Sequence, residues 1–326
     1  MESFVVPSAW EVAGLLCKLF LYFGAATLAG AALNLAFYSD GSRRTVQGLL
    51  VYGLIGAVLG FQAVLLNYLV QVGMISASGL AGMFDWTMAE ILMDTPLGET
   101  TLWRLVAFTV ALVGLVICLQ LLARRSQPPS RRLHTALVAI PALALLILAE
   151  SFQLSGHVSV HGKLAQLAIS LHVIAFAAWI GSLYPLLRLS HGLQASELAW
   201  FMGRFGDHAR LVLALLLLAG LFLLWELLMT PGELWQTPYG LSLSLKLLLV
   251  AALLGLAAHN RYQLVPAVAE DKGGALLQLR RSIKGEMGLA LLILLLTAYL
   301  STLVGPMDHQ AAAVRLETAE SSLAQR

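Results

Sequence analysis

The sequence is poor in charge. Asp, Glu, Lys and Arg make up 12% of its 326 residues, about half of the ~25% usual in a water-soluble domain. That excludes an ordinary soluble enzyme. A net charge of +2 excludes an electrostatic footprint for nucleic acid. Cysteine is nearly absent: Cys17 and Cys118 lie far apart, each in an apolar run. No disulfide framework and no Cys-x-x-Cys metal site can be built from them. The sequence also lacks Gly-x-Ser-x-Gly, His-Glu-x-x-His and Gly-x4-Gly-Lys-Ser/Thr. No catalytic role and no nucleotide-driven motor is therefore expected.

What is there is apolar. Hydrophobic residues form 59% of the chain, and the mean hydropathy is +0.82. A membrane-spanning helix needs about 20 mostly apolar residues. Eight runs qualify, at roughly 11–37, 46–72, 101–123, 134–152, 164–187, 208–230, 242–260 and 286–305. Runs such as 211–224 show no alternation of apolar and polar residues, which excludes the strands of an outer-membrane barrel. The expected fold is an all-α polytopic bundle of eight transmembrane helices in a lipid bilayer.

Lys and Arg concentrate in cytoplasmic loops. With the N-terminus outside, the inner segments are about 38–45, 124–133, 188–210 and 261–285, and they hold fourteen of the twenty basic residues. The outer side holds Lys163, Arg315 and Arg326. Both termini are thus expected in the periplasm of a bacterial inner membrane. The start of the chain has no basic n-region, so the first apolar run is expected to stay in the protein. Residues 307–326 read as a polar, mobile periplasmic tail.

Thr95-Pro96-Leu97-Gly98 recurs as Thr237-Pro238-Tyr239-Gly240, with a cation nine residues after each Thr, at Arg104 and Lys246. Parallel repeats of this type occur in transporters. The spacing predicts two four-helix halves, 1–153 and 154–306. Good turn and helix-start chemistry explains the motif equally well.

Ionisable residues inside spans are costly and mark function by default. Here they are Lys18, Arg104, Glu150, His172, Glu226 and Lys246. Their mixed signs allow pairing of the cations with Glu150 or Glu226. His157 and His161 are four apart, and His172 lies eleven further on. On a continuous helix all three imidazoles share one face, a ladder of ligands of the kind that suits copper or zinc. Met83, Met88 and Met93 lie on the acidic outer loop 73–100, and Met307 and His309 form a Met-x-His on the tail. Thioethers select Cu(I), although Met is also ordinary apolar filler.

Ser155-Gly156-His157, Leu171-His172 and Ala178-Trp179-Ile180-Gly181 occur in order. They are followed by Arg204-Phe205, Thr237-Pro238-Tyr239-Gly240 with Lys246, Asn260-Arg261, Leu279-Arg280-Arg281-Ser282, Glu286 and Pro306. The set resembles the copper resistance protein D family of bacterial inner-membrane proteins. The resemblance implies copper transport across the inner membrane, with His157, His172 and Trp179 falling on its motifs. Copper, as Cu(I), is then the expected cargo, and a periplasmic copper-binding protein the expected donor. A haem-binding electron-transfer protein and a non-transporting copper sensor or assembly factor are the alternatives.

Overall fold

The computed structural model describes residues 7–39, 41–124, 130–154, 162–227 and 232–303. Among them there is no strand. The helices are α1 (Ala9–Phe37), α2 (Arg43–Ser76), α3 (Trp86–Met93), α4 (Pro96–Ala123), α5 (Arg131–Glu150), α6 (Lys163–Leu189), α7 (Ala195–Leu227), α8 (Glu233–Gln236), α9 (Pro238–His259), α10 (Val265–Ala269) and α11 (Ala275–Leu303). Eight are long and apolar enough to cross a membrane: α1, α2, α4, α5, α6, α7, α9 together with α10, and α11. A π turn, Asn260–Leu264, joins α9 to α10. The start of α1 and the end of α11 lie at one face of the bundle, called here the terminal face.

Local chemistry sets the helix starts. Ser8 and Glu11 form a reciprocal capping box on α1, which satisfies two otherwise orphaned N–H groups. Thr95 and Thr237 cap α4 and α9, each with proline in the first turn, where the missing N–H costs nothing. The two caps differ in detail. The Thr237 hydroxyl accepts from the Gly240 N–H at 2.9 Å, whereas the Thr95 hydroxyl donates to the Leu92 carbonyl at 2.6 Å.

Helix α1 is the centre of the bundle. Every residue from Gly24 to Ala32 is buried, and this small-residue run lets backbones approach closely. A Cβ on Gly56 would sit 1.5 Å from the Thr27 hydroxyl, and one on Gly181 would sit 1.7 Å from the Ala26 carbonyl oxygen. Two apolar cores result. One joins residues of α1, α2, α4 and α5, with Ala177 and Ala178 of α6. The other joins α6, α7, α9, α10 and α11.

Two expectations about loops are corrected. Segments 188–210 and 261–285 are largely helical, because α7 begins at Ala195 and α11 at Ala275. Their charged residues alternate with a buried stripe at helical spacing: Leu198 and Met202 on α7, and Leu279 and Ile283 on α11. An apolar-run criterion stops at the first arginine and misses such a stripe. The outer loop 73–100 is likewise helical over most of its length, through the end of α2, a 3₁₀ turn at Gly79–Phe84, α3 and the start of α4.

Candidate functional site

Three cations lie in the terminal-face half. Lys18 on α1 donates to the Ser301 carbonyl at 2.6 Å and lies 3.3 Å from its hydroxyl, tying the first span to the last. Arg104 on α4 donates from Nε to the Ser151 hydroxyl at 3.1 Å, and its guanidinium lies 5.1 Å from the centre of the Phe152 ring. Phe152 in turn stacks on Tyr22. Lys18 and Arg104 line one narrow cleft with Cys17, Asn67 and Thr101. Neither Glu150 nor Glu226 forms an ion pair with Lys18 among the described residues. Glu150 is exposed and bonds Gln153 at 2.8 Å, and Glu226 is exposed near the end of α7. Among the described residues, the ion pairs are Arg210–Asp207, Arg261–Asp207 and Lys272–Glu270. A carbonyl and a hydroxyl of Ser301 receive Lys18, and the Ser151 hydroxyl accepts from Arg104.

The third cation accompanies His172. The ring of His172 projects from α6 toward α7, with Nδ1 3.3 Å from the Leu216 carbonyl oxygen. A carbonyl only accepts, so Nδ1 carries the hydrogen, and in the neutral ring the lone pair is on Nε2. Gly220 makes room for the ring: a Cβ there would lie 3.1 Å from Cε1 of His172. The Lys246 ammonium on α9 acts electrostatically on the imidazole.

His157 and His161 lie outside the described residues, as do Met307 and His309. Helix α6 starts at Lys163, and its N-cap, Gly162, is extended at φ −62° and ψ 165°. The helical register of His172 therefore does not run back through residue 162. Met83, in the 3₁₀ turn, packs toward Gly73 beside Trp10. Met88 and Met93 are on α3, and Met93 is exposed. Trp179 is buried on α6. Among the described residues, no three His, Cys, Asp or Glu side chains converge on a metal position.

A cavity of about 270 Å³ opens in the other half, between α6, α7, α9, the π turn and α11. Its walls are mostly apolar and include Trp179, Met202 and Phe205. Its polar feature is a pair that sequence reasoning did not single out as a site: the Asn260 amide donates to Glu286 Oε1 at 2.6 Å. Glu286 is 4% exposed and Asn260 8%. The Asn260 side-chain oxygen Oδ1 has no hydrogen-bond partner among the described residues. Arg261, next in the π turn, crosses α7 at Gly206, where a Cβ would meet its Cδ at 2.5 Å. It reaches Asp207 at 2.7 Å, and Arg210 meets the same carboxylate at 2.9 Å. Nearby, the Tyr38 hydroxyl lies 2.8 Å from His208 Nδ1. Burial pushes the Tyr38 phenol up to about 12, against the pull of Arg204. The available signal for Glu286 was a lone carboxylate opening the last apolar run, which reads by eye as the end of a loop.

Residues 199–300 match the family model of copper resistance protein D. The matched stretch holds most of α7, all of α9 and α10, and most of α11. It includes Lys246, Asn260 and Glu286, and it begins after His172. The chain is also 27% identical over 235 residues to "Inner membrane protein YebZ" of Escherichia coli (strain K12), covering 71% of this chain and 77% of that protein. No solved structure matches.

Proposed function

We propose that this chain is a copper-handling protein of the bacterial inner membrane that carries Cu(I) across the bilayer, its terminal face in the periplasm. The observation that carries the reading is the match of residues 199–300 to copper resistance protein D. Two further features support it. Arg43, Arg44, Arg124, Arg131, Arg132, Arg188, Arg261, Lys272, Arg280, Arg281 and Lys284 all lie on segments away from the terminal face, in keeping with the positive-inside rule. Costly polar residues are also retained inside spans, the usual mark of a transport path.

In this reading a periplasmic donor delivers copper to the histidine-bearing segment 157–172, and Nε2 of His172 receives it within the bundle. The Lys246 charge opposes that step. Like charges repel more strongly in a low-dielectric interior than in water. Lys246 thus keeps copper from resting at His172, so that the ion passes rather than stays.

Anaerobic titration of the purified protein with Cu(I) against a chromophoric chelator tests the assignment. H172A should weaken binding, and K246M should tighten it. Identical binding curves for the parent and both variants contradict the route.

A further inference from the structure

We propose that Glu286 is a proton-carrying carboxyl, oriented by Asn260 and reached through the 270 Å³ cavity, that couples proton movement to transport. The coupling rests on the copper reading above; the proton site does not.

The argument starts from burial. Glu286 lies eleven residues into α11 and is 96% buried. An isolated carboxylate in such surroundings is very costly, and a group so placed is kept neutral instead. No described cation lies within ion-pairing distance of Glu286. From α7, Arg210 lines the cavity; the π turn contributes Arg261 and Tyr262. Both arginines are engaged by Asp207. Helices α6 and α9 present only apolar residues to the cavity. Among the described residues the hydrogen-bond partner of the Glu286 carboxyl is Asn260.

That neighbour suits both protonation states. The Asn260 Nδ2–H donates to a carboxylate oxygen, and the unpartnered Oδ1 can accept from a carboxylic O–H or from a water. The residue opens a π turn, a rare helix defect that recurs at functional sites. The proton balance is simple. Hydronium entering through the cavity gives its proton to the Glu286 carboxylate and leaves as water, and the reverse step releases it. A bound metal cation is the weaker alternative, since hard cations demand about six oxygen ligands and the cavity walls are mostly apolar.

Infrared difference spectroscopy on the full-length protein in vesicles reads the site directly. The parent should show a carboxylic-acid carbonyl band that diminishes as pH rises and shifts in D2O. E286Q should lack it, and N260L should shift its frequency. A258W, which fills the cavity beside the pair, should slow its exchange. The same vesicles, loaded with Cu(I) under an imposed pH gradient, read the coupling: the parent should respond to the gradient, and E286Q should lose that response. If E286Q fails to fold, E286D and N260L carry the band assignment. A spectrum unchanged by these variants, or a band that neither titrates nor exchanges, overturns the proton site. Equal gradient dependence in parent and E286Q overturns the coupling. A titrating band in a parent that moves no copper leaves the proton site standing and overturns the copper reading.

Discussion

Replacing Gly181 by alanine should separate α1 from α6. The added Cβ would lie 1.7 Å from the Ala26 carbonyl oxygen, 2.6 Å from its carbon and 2.9 Å from the Gly30 nitrogen. All three are backbone atoms, so no side chain can swing aside. To restore the 3.4 Å of ordinary contact, the Ala26 carbonyl must retreat by about 1.7 Å. One hydrogen bond crosses the same seam, from Asn34 to the Ser182 hydroxyl at 3.2 Å, and the Tyr52 hydroxyl of α2 donates to the Gly181 carbonyl itself at 3.0 Å. Overpacking costs about 1–3 kcal/mol, and each lost hydrogen bond about 1 kcal/mol. G181A should therefore lose roughly 3–5 kcal/mol. Denaturant unfolding in mixed micelles measures this, with G255A as control. A Cβ at Gly255 meets nothing within 4 Å, so that helical substitution should stabilise by about 0.5–1 kcal/mol. If G181A unfolds at the same denaturant level as G255A, the close crossing of α1 and α6 is refuted.

Other substitutions test smaller pieces of the account. S151A removes the hydroxyl that receives Arg104 and should cost about 1.5–3 kcal/mol, the range for a bond to a charged group. S301A should cost less, because Lys18 keeps the carbonyl of residue 301; a larger loss for S301A reverses the ranking. Y38F should cost about 1 kcal/mol in the same unfolding assay, since the buried, uncharged phenol contacts His208; an unchanged midpoint denies that contact any net value. G206A should displace Arg261 from α7 and raise the cleavage rate near residue 261 in limited proteolysis, a rate that stays at the parent level if Arg261 does not cross there.

The eight spans were legible because their signal is local. Each is a run of about 20 apolar residues, and composition alone reveals it. The caps at Thr95 and Thr237 were legible for the same reason. The contacts that hold the polar groups were not. Lys18 meets Ser301 across 283 positions, and Asn260 meets Glu286 across 26; no short-range pattern encodes either pairing. The mixed signs in the sequence allowed opposite charges inside the bundle to pair. The protein satisfies Lys18 and Arg104 with a backbone carbonyl and hydroxyls, which have no distinct signature among many serines and threonines. Helix α6 begins only at Lys163, after an extended N-cap at Gly162; His157 and His161 lie outside the described residues. Gly162 followed by an apolar run was a readable start signal at that point.

The central claim is that the chain moves copper. Proteoliposomes holding the full-length protein, exposed to buffered Cu(I) under anaerobic conditions, with copper inside measured over time, test it most directly. Uptake should run well above that of protein-free vesicles and be slowed by H172A. Uptake by the parent at the rate of empty vesicles contradicts it.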